Sequence, residues 1–148
     1  MKKLAKILSL VLVLAMATLA LVGCSSYSSL KKAFEAKGYT ENEKLEKAAE
    51  SIKEELEEDD LAVTLHLMTK ENGLTSALII EFNSTEDMKK AYDDSETIKG
   101  LVKDISNNED VAAFQKAMED AGYAKGNCLV VPLSILYINE ITTIVKEA

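Results

Sequence analysis

The stretch Val63-Thr64-Leu65-His66-Leu67-Met68-Thr69-Lys70-Glu71-Asn72-Gly73-Leu74-Thr75-Ser76-Ala77-Leu78-Ile79-Ile80-Glu81-Phe82 holds two alternating runs on either side of Asn72-Gly73. Asn-Gly suits the two left-handed positions of a type I′ hairpin turn. Taken as the turn, it pairs Leu67 with Leu78, Leu65 with Ile80 and Val63 with Phe82. All six then share one face of an antiparallel hairpin over about 61–83. A one-residue slip would send each of them to the other face, so the register is strongly specified. The opposite face carries Thr64, His66, Met68, Ala77, Ile79 and Glu81, a mixed surface expected to be wet or half covered. In this register His66 lies diagonal to Glu81, within reach of a loose ion pair.

Upstream of the hairpin, Leu30, Ala33 and Phe34 share one face of a helix that Gly38 is placed to stop. Thr40 and Glu43 have capping-box spacing, and the segment after them puts Leu45, Ala48, Ala49, Ile52 and Leu56 on one helical stripe. The run Glu54, Glu55, Glu57, Glu58, Asp59, Asp60 crowds acid onto the end of that helix, where the macrodipole disfavours it. It reads as a solvated, fraying helix end; the alternative reading is a weak divalent-cation or partner site.

Downstream, Ser84 and Asp87 have cap spacing, and Met88, Ala91, Tyr92, Ile98, Val102 and Ile105 follow at helical intervals. Asp93-Asp94-Ser95 and Gly100 are placed to bend or split this helix. A calcium loop from Asp93 fails, because Ile98 stands where an EF-hand needs Gly and no suitably spaced Glu closes the loop. Asn107 and Asn108 cap a further helix with the stripe Val111, Phe114, Met118 and Ala121, terminated by Gly122. Lys125-Gly126-Asn127 is a turn, and Cys128 to Val131 is a third, central or near-central strand (about 128–132) that Pro132 ends. Cys128, beside Leu129 and Val130, reads as a small buried hydrophobe. Residues 133–138 fit either a strand or the start of a final helix lined by Ile135, Ile138, Ile141, Ile144 and Val145. The expected fold class is α+β: a small antiparallel sheet built on one hairpin plus a third strand, with helices packed on one face.

The chain begins with a cationic segment carrying Lys2, Lys3 and Lys6, an uncharged apolar run from Ile7 to Val22, and the small residue Gly23. This is the order of a secretory signal, and the run is short for a span that needs roughly 20 apolar residues. Leu21-Val22-Gly23-Cys24 closely resembles the lipobox of bacterial lipoproteins. The resemblance implies removal of residues 1–23 by cleavage between Gly23 and Cys24, and a lipid on Cys24. Two or more acyl chains, at about 0.8 kcal/mol per buried CH₂, anchor stably where one holds only marginally. Cys24 to Ser29 would then be the lipidated residue and a short tether, and 30–148 a single domain.

Without residues 1–23 the chain keeps 125 of its 148 residues, and loses three lysines and no acid. Its 14 basic against 25 acidic residues leave a formal charge of −11. Such a domain is repelled by phosphate backbones, which excludes nucleic acid as an expected partner and leaves the lipid, not charge, as its hold on the membrane. The chain contains no arginine, so bidentate phosphate clamping is unavailable.

Further features are similar to those of the small uncharacterised lipoproteins of Gram-positive anaerobes. They are Lys31-Lys32-Ala33-Phe34-Glu35, Gly38-Tyr39-Thr40, the passage Ile80-Glu81-Phe82-Asn83-Ser84 with Glu86-Asp87 and Lys89-Lys90, and Gly126-Asn127. The chain departs from that pattern at Pro132 to Ile138, an insertion before the last helix. The resemblance implies a cell-membrane location on the extracytoplasmic side and a similar fold, and brings no activity or functional residues with it.

No Gly-x-Ser-x-Gly elbow, His-Glu-x-x-His helix, Cys-x-x-Cys or Walker loop occurs. No cofactor or metal is expected. The favoured function is a non-enzymatic binding or interaction module for an envelope protein or small ligand. Its contact face would be His66, Met68, Ile79 and Glu81, or the Pro132–Ile138 segment if exposed. His66 is the only histidine, and a lone imidazole on a mixed strand face is more commonly a packing residue than a catalyst. The alternative is a small cell-surface hydrolase using paired carboxylates, which would need two acids in environments that separate their pKa values. Intact-mass measurement of the protein extracted in detergent should give a chain starting at Cys24 with added lipid mass; an unmodified chain starting at Met1 would refute the anchor.

Overall fold

Val63 pairs with Phe82, Leu65 with Ile80 and Leu67 with Leu78, the register expected from the alternation. The computed structural model describes residues 26–44, 47–71, 75–102 and 111–148, the side chains of 111–115 and 135 excepted. The signal and lipobox, Leu45, the Asn72-Gly73 turn, Ile105, the caps Asn107 and Asn108, and the side chains of Val111 and Phe114 lie outside that description.

Along the chain run α1 (Ser26–Ala36), β1 (Tyr39–Asn42), α2 (Lys47–Glu58), β2 (Val63–Lys70), β3 (Ser76–Phe82), α3 (Thr85–Asp94) and α4 (Glu96–Val102). After these come α5 (Val111–Ala121), β4 (Ala124–Lys125), β5 (Cys128–Pro132), a 3₁₀ turn (Ile135–Tyr137) and α6 (Ile138–Glu147). The fold is α+β, with an open antiparallel sheet in the order β1-β2-β3-β5-β4. The hairpin and the third strand stand where the sequence put them. Pro132, paired with Ala77, is the last residue of β5. The 133–138 segment resolves into the 3₁₀ turn leading into α6.

Two short strands extend the expected sheet. Tyr39–Asn42 is β1, paired with Leu67–Lys70, so Thr40 and Glu43 do not cap a helix. Thr40 is a strand residue that donates its hydroxyl hydrogen bond to the Thr69 carbonyl at 3.5 Å. The helix starts later, at Lys47, and turns Ala49, Ile52 and Leu56 inward while Ala48 stays exposed. The second addition, β4, forms a tight hairpin with β5 around Gly126-Asn127. Nor are residues 25–29 a tether throughout, since α1 already begins at Ser26.

The helices cover both faces of the sheet, in place of the one-sided packing expected. On the first face Leu78, Ile80, Phe82 and Leu129 meet α2, α3, α4 and α5 through Ala49 and Leu56, Met88 and Ala91, Ile98 and Val102, and Met118. On the second, Met68, Ala77, Ile79, Cys128 and Val130 meet Leu30 and Phe34 of α1 and Ile141, Ile144 and Val145 of α6. The physical reason lies in β3, where Ala77-Leu78-Ile79-Ile80 is apolar at both parities and is fully buried. A strand of that kind demands a layer on each side.

The helix ends follow their local chemistry. Ser84 caps α3 by accepting from the Asp87 N–H at 3.0 Å. The Asp93-Asp94-Ser95 break separates α3 from α4, and buried Ser95 accepts from the Ile98 N–H at 3.1 Å while donating to Asp59. The acidic end of α2 is solvated but closed: Leu61 N–H reaches the Leu56 carbonyl at 3.2 Å and Asp60 N–H the Glu57 carbonyl at 3.1 Å. These are the two bonds of a Schellman motif, with Asp60 in the left-handed position at φ 56°. At Gly126 (φ 55°) a Cβ would collide with the Ser26 side chain, so the β4–β5 turn is packed tightly against the first residue of α1.

Ile79→Ala tests the second layer. It should lower unfolding stability by about 2–5 kcal/mol in urea titration, the range for a truncated core residue, whereas a wet face would lose under about 1 kcal/mol.

Candidate functional site

Parity on the second sheet face brings His66 and Glu81 together, and pairing of β1 with β2 adds Glu41. Thr64 is opposite Glu81 and Ile79 opposite His66, so the imidazole reaches Glu81 on the diagonal. His66 Nε2 lies 2.9 Å from Glu81 Oε2, and Nδ1 lies 2.9 Å from Glu41 Oε1. The expected loose ion pair is thus a two-sided clamp on a side chain only 13% exposed. Each ring nitrogen thus has a carboxyl group within hydrogen-bond distance.

Helix α1 closes the cluster from above. Tyr27 stacks on His66 with ring centroids 3.5 Å apart and planes inclined by 13°. Lys31 Nζ reaches Glu41 Oε2 at 2.8 Å. Lys31 foremost, with His66 and nearby Tyr27, holds the Glu41 carboxyl down at about 2. The Tyr27 hydroxyl is buried near enough to feel that carboxylate but makes no hydrogen bond of good geometry among the described residues. Burial, reinforced by Glu41, raises its pKa. Below the cluster, Cys128 sits opposite Glu81, fully buried and free, its thiol pushed up to about 12 by burial and then by the Glu81 charge.

The expected contact face does not survive as a surface. Met68 and Ile79 are fully buried under α1 and α6 and belong to the core. His66 and Glu81 stay at the edge of that layer. In the Pro132–Ile138 segment Leu136 is 89% exposed, while Pro132, Leu133, Tyr137 and Ile138 are partly buried. Sequence reasoning missed Glu41 and Tyr27. Tyr27 was placed in the tether, and Glu41 lay inside the segment read as a helix cap.

On the other side of His66 the sheet is half open. β1 pairs with β2 only from Leu67 to Lys70, leaving Val63 to His66 with a strand neighbour, β3, on one side among the described residues. Between this free edge and α2 is a cavity of about 500 Å³. Leu56, Leu61, Val63 and Leu65 give it an apolar floor. Glu41, Glu43 and Glu57 add carboxylates, of which Glu57 lies 3.6 Å from Lys53 and Glu41 is paired with Lys31. Among the described residues no group of three or more His, Cys, Asp or Glu side chains is arranged to hold a metal ion, and no helix is long and apolar enough to cross a membrane. Comparison with protein-family models, curated proteins and solved structures finds no match to this chain.

Glu41 makes stability depend on acid pH. Its folded-state pKa lies below the ordinary 4.5, so its contribution is fully present above about pH 4.5 and is lost as pH falls through about 2. In Glu41→Gln the fall of the urea midpoint between pH 4.5 and 2 should be shallower than in the parent; an unchanged slope would deny Glu41 that role.

Proposed function

We propose that this chain is a membrane-anchored extracytoplasmic lipoprotein, held by lipid on Cys24, that acts as a non-enzymatic binding or interaction module through the groove at the free edge of β2. The observation that carries the binding reading is the groove itself. It joins an apolar floor, charged groups above it and a strand edge with no strand neighbour among the described residues, the combination by which proteins hold a ligand in one orientation. The anchor rests on the signal-like order of residues 1–23 and the lipobox resemblance at Leu21-Val22-Gly23-Cys24.

The alternative, a hydrolase using paired carboxylates, has less support. Glu41 and Glu81 are two acids about one imidazole, but both hold its ring nitrogens. A general acid needs a raised pKa, and Glu41 is held well down.

In-cell amine-reactive crosslinking of the native protein tests the module. Lys53, in the groove, should crosslink to one envelope protein, and Ala62→Trp, which fills the groove from an exposed position, should abolish that link. Recovery of only random neighbours, equally from both proteins, would remove the reading.

A further inference from the structure

We draw no further inference here: the strongest candidate, an apolar cavity of about 380 Å³ between β5, α4, α5 and the start of α6, is bordered at Val102 by residues 103–110, which lie outside the described residues, so nothing in the structure shows what covers it.

Discussion

The parity of the β2–β3 pairing is the constraint on which the rest of the molecule depends. One register assigns Leu78, Ile80 and Phe82 to the layer of α2, α3, α4 and α5, and Met68, Ala77 and Ile79 to the layer of α1 and α6. β5 inherits the same parity through Leu78 opposite Val131 and Ile79 opposite Val130. A slip by one residue would exchange two cores of different shape and bring His66 into the face packed by α2. Its cost is therefore counted over both layers.

That parity also sets polar side chains at the margin of the second layer, His66 the most enclosed of the ion-paired ones at 13% exposed. Burial of such a group is tolerated when its hydrogen bonds are met. Glu41 and Glu81 meet them from the strands on either side of β2, and Tyr27 covers the ring. The clamp therefore ties three strands and α1 together at one end of the sheet. At the other end Tyr39 plays the matching part: its ring meets Phe34 edge-on at 5.1 Å, and its hydroxyl donates to Glu140 of α6 at 3.2 Å. Lys70 contributes there as well, pairing with Glu140 and lying 5.0 Å from the Tyr39 ring centroid.

What was legible in the sequence was what local pattern determines. Alternation around Asn72-Gly73 located the hairpin, Ser84 and the Gly122 and Gly126 positions marked boundaries, and the Cys128 run supplied a strand. β1 was not legible because it is four residues long with Tyr39 alone buried, too little for a period of two to show. Thr40 and Glu43 meanwhile imitate a cap. The second layer did have a signal, in the unbroken Ala77-Leu78-Ile79-Ile80 run, but a short apolar run does not say which helices cover it. The His66–Glu81 contact followed from register. Glu41 did not, because its approach to His66 depends on β1, whose pairing is a property of the assembled sheet.

The contact between Ser26 and Gly126 has a consequence for orientation. Ser26 lies against the β4–β5 turn, Cys128 follows that turn, and Cys128, Glu81 and Thr64 form one row across the strands. The start of α1 and the free half of β2 therefore share one end of the sheet. In the anchored form proposed above, only Ser25 lies between the lipidated residue and α1, a leash of at most about 7 Å from Cys24 to Ser26. So short a leash leaves the domain little freedom to tumble away from the bilayer and keeps the groove close to the headgroups. A partner would then meet it most readily by lateral diffusion within the same membrane, so that encounter depends on surface density more than on concentration in the surrounding fluid.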